Sequence, residues 1–393
     1  MGAPLRVLHC LRAPVGGLFR HVLDLARAQA AAGCAVGIVA DELTGGEAAR
    51  AKLAAIAPEL ELGVTRVAMP RSIGFNDYAA MLATRALASG LKVDVVHGHG
   101  AKGGAYARLA ARTLKQAGQP VRVLYTPHGG SLHYEPATPQ GILFLGLERQ
   151  LAGLTDGLIF ESDYSRRVYQ VKVGVPPCAV RVIPNGLLPS DFQDRPLAPN
   201  ASDVLFVGEL RKLKGVDVLL EALARIISPR PPTATLVGAG PDGQAFKDMA
   251  QSLNLGARVH FAGAMPAAEA FRLGRLLVVP SRAESFPYIV LEGAAAGLPM
   301  LASNVGGIPE ITAGTNTELL VAGDWPDLAR RLTAFLADSA PLQATAVELK
   351  RRVAASFTVA RMADDTLDFY AGLLAGRPRP TLSQHFANIL PTS

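Results

Sequence analysis

The fold is decided around Pro184-Asn-Gly-Leu-Leu-Pro-Ser-Asp-Phe-Gln-Asp-Arg-Pro-Leu-Ala-Pro-Asn200, which separates two halves of similar pattern. The four prolines of this stretch cannot lie inside a helix or a central strand, so it is predicted to connect two domains. A sequence of 393 residues is long enough for two hydrophobic cores. We therefore predict domains at residues 1–188 and 201–357, joined by a linker at residues 189–200.

Outward from this stretch, short β-branched runs alternate with Ala- and Leu-rich segments in both directions. The alternation predicts a doubly wound, Rossmann-like α/β domain in each half. Two such domains that face each other leave a cleft, and ligands bind outside the carboxyl ends of the strands. The predicted strands are Arg6–Cys10, Ala35–Ala40, Val93–His97, Val121–Tyr125, Gly157–Glu161, Val180–Ile183, Val204–Val207, Thr235–Val237, Val259–Ala262, Leu276–Pro280 and Met300–Ser303.

Helices are predicted between these strands and at the end of the sequence. The first is Leu18–Ala32, and the last covers about Thr358–Leu374 within a segment at residues 358–376. Residues 377–393 are predicted to form a loosely structured tail.

Composition narrows the class of protein. Hydrophobic residues make up 49% of the chain, but no apolar run approaches the roughly 18 residues of a membrane-spanning helix. The N-terminus lacks the pattern of a signal peptide. Cys10, Cys34 and Cys178 lie far apart and fit neither a metal motif nor a disulfide framework, so we expect a cytoplasmic location.

Charge is unevenly distributed between the halves. Residues 1–188 contain 20 Lys/Arg and 13 Asp/Glu, a net charge of +7, and residues 189–393 contain 19 and 20, a net charge of −1. A basic N-terminal half could face an anionic membrane or a phosphorylated acceptor, and an ordinary solvated surface is an equal alternative. No recognition motif accompanies the basic residues, so nucleic-acid binding is not expected.

Two sets of charged residues in the C-terminal half indicate a nucleotide-sugar ligand. Arg211 and Lys214 lie at a strand-to-helix turn, where fixed cations would stabilise the charge that develops on a leaving diphosphate. Glu284 and Glu292 follow about 70 residues later, with Glu292 in an apolar context that requires a partner if it is buried. Sugar and ribose hydroxyls are suitable partners for these carboxylates.

Histidines mark two strand ends in the N-terminal half. His97-Gly-His99-Gly-Ala-Lys102 ends one predicted strand, and strand alternation points His97 and His99 to the same side. A metal site is one interpretation, but the sequence shows no third ligand nearby, so we favour a loop that lines the cleft. His128 follows the next strand and either holds a sugar or phosphate oxygen or satisfies loop backbone groups.

Two glycine motifs have competing interpretations. Gly16-Gly17 opens the first predicted helix, where backbone N–H groups suit a phosphate, although a plain turn fits equally well. Gly238-Ala-Gly-Pro-Asp-Gly243 matches the dinucleotide-binding pattern. No acidic residue ends a strand about 20 residues later, and Pro241 lacks an amide for a pyrophosphate, so we favour a turn over NAD binding.

In this order and spacing the motifs resemble glycosyltransferase family 4, whose members are retaining enzymes of the GT-B fold. The resemblance runs along nearly the whole chain and is specific for the family but not for a substrate. It is carried by Gly16-Gly17, Thr126-Pro-His-Gly129, Val182-Ile-Pro-Asn-Gly186, Phe206-Val-Gly-Glu-Leu-Arg-Lys-Leu-Lys-Gly215, Val237-Gly-Ala-Gly-Pro241, Glu284-Ser-Phe-Pro-Tyr-Ile-Val-Leu-Glu292 and Gly306-Gly-Ile-Pro-Glu310.

The resemblance implies a role for each matching residue. It assigns the donor sugar hydroxyls to Glu284, the ribose to Glu292 and the diphosphate to Lys214. It places His128 near the reacting centre or the acceptor, and it implies that the last helix packs on the N-terminal domain. Glu209 stands where the family usually has Arg, so Arg211 is the candidate replacement, and Pro287 stands where many members have Gly.

The sequence thus predicts a metal-independent hexosyltransferase without a cofactor. It would move a sugar from a UDP- or GDP-linked donor to a lipid-linked or saccharide acceptor in bacterial polysaccharide or glycolipid synthesis. The alternatives are a nucleotide-sugar epimerase or other GT-B enzyme, an NAD-dependent oxidoreductase, and a non-catalytic binding protein. The predicted catalytic residues are His128, Arg211, Lys214 and Glu284; the donor-binding residues are Gly16, Gly17, Arg211, Lys214, Glu284, Ser285, Phe286 and Glu292; the acceptor-side residues are His97, His99, Lys102 and His128.

Overall fold

The computed structural model of the protein describes residues 3–374. The chain folds into two compact units: unit 1 runs to Gly186 and resumes at Val359, and unit 2 is Leu187–Thr358. The predicted tail 377–393 and the last two residues of the predicted segment 358–376 lie outside the described residues.

Unit 1 is built on a parallel sheet of seven strands in the order β3-β2-β1-β4-β5-β6-β7. The central strands β1, β2 and β4 are almost entirely buried and mostly apolar, as expected for a parallel sheet covered on both faces. The strand order reverses between β1 and β4, where a doubly wound sheet opens its ligand crevice. The strands are β1 Arg6–Leu11, β2 Ala35–Asp41, β3 Val64–Val67, β4 Val95–His99, β5 Arg122–Thr126, β6 Gly157–Phe160 and β7 Ala179–Val182.

Helices connect these strands, and the last helix among residues 3–374 belongs to the same unit. Helix α14 (Val359–Leu373) packs against α1 (Gly16–Ala31) and brings Phe369 and Leu373 next to Gly157 of β6. The remaining helices of the unit are α2 Gly46–Ile56, α3 Phe75–Gly90, α4 Gly100–Gln116, α5 Pro139–Ala152 and α6 Asp163–Lys172, with 3₁₀ turns at Ala57–Glu59 and Gly130–His133.

A buried ion pair fixes α4, which begins directly after His99. Arg108 donates to Glu148 of α5 at 2.6 Å and lies over the Tyr125 ring, with 4.0 Å to its centroid. Because both charges are removed from water, the loss of one partner would leave the other unpaired in the core. The pair therefore holds α4 and α5 in one arrangement.

Unit 2 repeats the architecture with a five-stranded parallel sheet in the order β10-β9-β8-β11-β12. The order reverses between β8 and β11, so the crevice of this sheet lies after those two strands. The strands are β8 Ser202–Val207, β9 Ala234–Val237, β10 Val259–Gly263, β11 Gly274–Val279 and β12 Met300–Ala302.

The helices of unit 2 bury apolar faces on the two sides of this sheet. Val216, Leu219, Leu220 and Leu223 recur at helical spacing in α7 and are fully buried. The helices are α7 Val216–Arg225, α8 Gly243–Ser252, α9 Ala267–Ala270, α10 Tyr288–Ala295, α11 Ile308–Thr312, α12 Trp325–Ala337 and α13 Ala340–Ser356, with 3₁₀ turns at Pro189–Phe192 and Lys212–Lys214.

Two parts of the structure differ from the sequence analysis. The predicted linker 189–200 lies within unit 2, where Ala198 N donates to the Arg272 carbonyl at 2.8 Å and Phe192 packs on the core. The short strand β3 was not predicted. It is a half-buried edge strand with Thr65 and Arg66 at its centre, so it lacks a continuous apolar run.

Candidate functional site

A buried carboxylate and a lysine meet at the crevice of unit 2. Lys214 ends the 3₁₀ turn that follows β8, and Glu284 lies in the loop that follows β11. Lys214 Nζ donates to Glu284 Oε1 at 2.6 Å, and Ser281 Oγ donates to the same oxygen at 2.7 Å. The Glu284 side chain is 8% exposed and that of Lys214 is 26% exposed, so the pair is accessible to a ligand mainly from the lysine side.

Glycines allow the loops around this pair to touch. Gly215 has φ +71°, and a Cβ at this position would lie 1.9 Å from the Pro280 carbonyl oxygen. Gly306 has φ +62°, and its Cβ would lie 1.9 Å from the Glu284 carbonyl oxygen. An L side chain fits neither the space nor the backbone conformation. The glycines therefore set how close the loops after β8, β11 and β12 come to one another.

The Gly238–Gly243 motif has a similar structural explanation. A Cβ on Gly238 would lie 1.8 Å from the Gly208 carbonyl oxygen, and one on Gly240 would lie 2.4 Å from that of Leu210. These glycines are required by the packing of the loop after β9 on the loop after β8. This supports the interpretation of the motif as a turn.

The other predicted donor-site residues of unit 2 differ in their availability. Arg211 is exposed on the same turn as Lys214, and its guanidinium lies 4.0 Å from Glu209. Glu292 lies in α10 and is partly exposed, as is Ser285, whose carbonyl accepts from Gly307 N at 2.7 Å. Phe286 is different, because its ring is buried against Phe357. Its side chain supports the loop from the core, and its assignment to the donor stays a prediction.

Unit 1 contains a cluster of five histidines at its own crevice: His9, His21, His97, His99 and His128. His9 of β1 pairs in register with His97 of β4, His99 ends β4, and His128 follows β5. His21 reaches the cluster from α1, with its ring centroid 4.8 Å from that of His128. All except His128 are fully buried.

A continuous line of hydrogen bonds runs through the cluster. Gln29 Oε1 lies 2.8 Å from His9 Nε2, His9 Nδ1 lies 3.0 Å from His99 Nε2, and His99 Nδ1 lies 3.1 Å from His128 Nε2. The line ends where His128 Nδ1 contacts Glu161 Oε1. Each imidazole in it therefore has its ring orientation fixed by a neighbour on both nitrogens.

Burial controls the protonation of this cluster. It lowers the pKa of His9 from its ordinary 6.5 to about 4, and the hydrogen bond to the Gln29 side-chain oxygen opposes the shift. Burial, with repulsion from neighbouring imidazoles, holds the pKa of His21, His97 and His99 well below 6.5. Because a charged imidazole is poorly solvated there, these rings are neutral at pH 7.

Two of the predicted acceptor-side residues have partners within unit 1. Both ring nitrogens of His97 are engaged, by Tyr370 OH at 2.7 Å and Thr126 Oγ1 at 2.8 Å, so His97 supports the site from within the core. Lys102 Nζ donates at 2.7 Å to the Pro70 and Ser72 carbonyls and to Asp77, so it ties α4 to the start of α3. The assignment of both residues to the acceptor stays a prediction.

His99 and His128 lie at the crevice of unit 1, and their predicted roles on the acceptor side stay predictions. Gly16 and Gly17 open α1 in the same unit. His128 has φ +50°, a conformation that non-glycine residues seldom adopt and that is concentrated at functional sites. The assignment of Gly16 and Gly17 to the donor stays a prediction.

Sequence reasoning missed the partners of these residues. Glu161, His9, His21 and Asn185 were not singled out for unit 1, and Ser281 was not singled out for unit 2. The expectation that His97 and His99 lack a third ligand was also wrong, because His9, His21 and His128 converge on them. The alignment of His9 with His97 on neighbouring strands could have indicated this, since both lie on strands that flank the crevice.

Two family models match the chain, one in each half. The model described as Glycosyltransferase Family 4 matches residues 15–190, and the model described as Glycosyl transferases group 1 matches residues 201–338. The chain is also 36% identical over 189 residues to D-inositol 3-phosphate glycosyltransferase of Rhodococcus opacus, which is 44% of this chain and 42% of the relative. The match thus spans less than half of that relative's length.

Solved structures share the fold along nearly the whole chain. Sucrose-phosphate synthase from Thermosynechococcus elongatus has a TM-score of 0.78 at 23% identity and covers 95% of this chain and 100% of its own. The Anabaena protein HepE in complex with UDP and glucose has a TM-score of 0.77 at 19% identity, with coverage of 94% and 100%.

The two parallel sheets and these likenesses define the class of the protein as a GT-B fold of two Rossmann-like domains. Within that class, the two family models assign both halves consistently. The chain belongs to the family 4 glycosyltransferases. Among residues 3–374, no helix is long and apolar enough to cross a membrane.

Proposed function

We propose that the protein is a retaining glycosyltransferase that moves a sugar from a UDP- or GDP-linked donor to a lipid-linked or saccharide acceptor. The observation that carries this proposal is the Lys214–Glu284 pair at the crevice of unit 2. The pair offers a cation for a diphosphate and a carboxylate for sugar hydroxyls at one point. A nucleotide-sugar needs both.

Each residue of this site has a distinct task in the proposal. When the donor diphosphate binds, the Lys214 ammonium group interacts with the phosphate oxygens and less strongly with Glu284. The Glu284 oxygen then accepts a hydrogen bond from a sugar hydroxyl. Arg211 lies exposed on the same turn and supplies a second cation. Glu292 of α10 holds the ribose, as the family resemblance implies. These contacts strengthen as the glycosidic bond breaks and the diphosphate gains charge.

We further propose that transfer proceeds without a metal on the diphosphate and with front-face attack. Lys214 and Arg211 supply the charge that a divalent cation would otherwise supply. Retention is supported by the family resemblance. The leaving phosphate then takes the acceptor proton, and His128 keeps the role near the reacting centre or the acceptor that the family resemblance implies.

Peripheral attachment of unit 1 to an anionic membrane is a second part of the proposal. The start of α3 exposes Phe75 completely and Tyr78 largely, and α5 exposes Ile142 and Leu143. Both helices pack on α4, and residues 1–188 carry a net charge of +7. Exposed apolar side chains together with basic charge suit the interface of an anionic bilayer and an acceptor that is anchored in it.

Vesicle flotation tests this attachment. We expect binding to vesicles that contain phosphatidylglycerol, and weaker binding to pure phosphatidylcholine or by a Phe75→Ser/Ile142→Ser variant. Ile227→Ser removes an equally exposed apolar side chain from unit 2 and serves as the control. Equal flotation of the parent and the Phe75/Ile142 variant would contradict the proposal.

The transferase proposal is tested first by ligand binding. Thermal unfolding is measured with UDP, GDP, their sugar conjugates and NAD(H), all with EDTA present. A ligand at about 100 times its Kd adds about 2.7 kcal/mol of stability. Stabilisation by a UDP or GDP species supports the proposal and identifies the base, and stabilisation by NAD(H) alone would overturn it.

Product analysis then separates transfer from its alternatives. The stabilising donor is incubated with an acceptor panel that includes D-inositol 3-phosphate, because relatives with 36% identity carry that name. A new glycoside supports a transferase. Conversion of the donor sugar without an acceptor would instead favour an epimerase, and nucleotide binding without turnover would favour a binding protein.

A further inference from the structure

We propose that His21, His99 and His128 form a binding site for one divalent transition-metal ion of the Zn²⁺ class in unit 1. Each residue offers one ring nitrogen, and the three nitrogens lie within 4.8 Å of one another. Zinc binds imidazole nitrogen at about 2.0–2.1 Å, so the three rings have to shift from their present spacing to enclose an ion. His128 takes part in both proposals, so the test of this one measures metal binding and not sugar transfer.

The hydrogen bonds of the three rings leave one nitrogen of each directed toward the others. His21 uses Nδ1 for Asn185 at 2.9 Å, and no hydrogen bond among the described residues uses its Nε2. His128 uses Nδ1 for Glu161. His99 uses Nε2 for His9, and its Nδ1 lies 3.1 Å from His128 Nε2. The candidate ligand atoms are therefore His21 Nε2, His99 Nδ1 and His128 Nε2.

Each candidate ligand has a second partner of the kind that metal-bound histidines use. Glu161 holds His128, the Asn185 side-chain oxygen holds His21, and His9, itself held by Gln29, orients His99. Such partners fix the tautomer and ring orientation of a metal ligand. All of these residues belong to unit 1, so the site is complete within one compact unit.

A second group of three histidines lies beside this one. The neighbouring trio His9, His97 and His99 is a poorer site, because Tyr370 and Thr126 occupy both nitrogens of His97.

The chemistry of the ligand atoms determines which ions can bind. Three neutral imidazoles suit zinc, copper, nickel or iron, whereas magnesium and calcium prefer oxygen ligands. Three protein ligands leave a fourth position for water or a polar ligand group. The alternative to a metal site is that no ion binds and that the line of hydrogen bonds from Gln29 to Glu161 alone orients the rings.

The test uses the full-length protein without a histidine tag, stripped with a chelator, and measures Zn²⁺ binding by calorimetry. Co²⁺ as a spectroscopic probe reports the ligand geometry. We expect one Zn²⁺ per chain. We also expect His21→Ala and His128→Ala to weaken binding by on the order of 100-fold or more, and Glu161→Gln to weaken it by about 10–100-fold. His260→Ala, an exposed histidine of unit 2, is the matched control and should not change the affinity.

Circular dichroism of each variant establishes that it is folded. If a variant unfolds, the Co²⁺ spectrum of the parent protein still tests the proposal. Tetrahedral Co²⁺ with nitrogen ligands absorbs visible light far more strongly than octahedral Co²⁺ with water ligands. No saturable Zn²⁺ binding by the parent, octahedral Co²⁺, or binding that survives both His21→Ala and His128→Ala would overturn the proposal.

Discussion

Replacement of Lys214 by alanine is the sharpest test of the site in unit 2. The change removes the cation that lies 2.6 Å from Glu284 and leaves that carboxylate with the Ser281 hydroxyl. Lys212 lies on the same 3₁₀ turn and is exposed, so Lys212→Ala removes an equal charge from the same segment without changing the pair.

The expected loss follows from electrostatics. Unit charges about 4 Å apart interact by about 4 kcal/mol at an effective dielectric constant of about 20. This is an upper limit, because Glu284 already neutralises Lys214 in part and the lysine side chain is 26% exposed. A loss of about 3–4 kcal/mol in transition-state stabilisation corresponds to roughly 10²–10³ in kcat.

The assay is the initial rate of transfer with the donor identified by thermal stabilisation, at saturating acceptor. Thermal unfolding of the variants accompanies it, since a carboxylate without its cation also costs stability. We expect Lys214→Ala to lose turnover while Lys212→Ala resembles the parent. A Lys214→Ala rate no lower than that of Lys212→Ala would refute the assignment of the diphosphate to Lys214.

Three further predictions concern the donor, the histidines and the loop glycines. Glu292→Ala is expected to raise the donor KM more than it lowers kcat, because a contact made equally in the ground and transition states is lost; unchanged UDP and GDP affinity in calorimetry would remove the ribose role. Because burial lowers the pKa of His9 to about 4, the stability that its neutral ring contributes is complete above pH 6.5 and is lost as the pH falls toward 4. The slope is up to about 1.4 kcal/mol per pH unit for each such histidine, so the hydrogen-exchange protection factors, corrected for the pH dependence of intrinsic exchange, should fall in β1 more than in β8 between pH 7 and 5, and an equal fall in both strands would contradict this. Gly306→Ala is expected to destabilise unit 2 by at least about 1–3 kcal/mol through its positive φ and the clash with the Glu284 carbonyl, whereas Gly256→Ala, whose Cβ would meet nothing within 4 Å, should not; similar urea midpoints for the two variants would refute the packing argument.

Strand prediction succeeded where burial leaves a continuous apolar run. The two-domain GT-B fold was confirmed, and β1, β2 and β8 begin within two residues of their predicted starts. Strand β3 was missed because an edge strand is apolar on one face only. The segment at residues 189–200 resembles a linker because prolines exclude regular elements, yet proline does not prevent the chain from packing on a core, and Phe192 does so.

The sequence proposed the residues of the candidate site but not the contact between them. Lys214 was proposed because it is a cation at a strand-to-helix turn, and Glu284 because it is a carboxylate in a segment that matches the family. The contact between them depends on the reversal of strand order between β8 and β11, which no local pattern encodes. The same reason explains why Lys102 looked available: its partners Pro70, Ser72 and Asp77 lie 25 to 32 residues away in the sequence.

Unit 1 consists of two stretches that are separated in the sequence, and this affects how the protein folds during its synthesis. The ribosome synthesises the first 186 residues, then all of unit 2, and only afterwards helix α14. This helix packs on α1, and its Tyr370 hydroxyl forms a hydrogen bond with the ring of His97. Until then the nascent unit 1 exposes an apolar face and an unfinished histidine cluster, whereas unit 2 is continuous and can fold on its own. The docking of α14 therefore completes unit 1. A chain that ends after Thr358 would contain all of unit 2 and a unit 1 that lacks this helix.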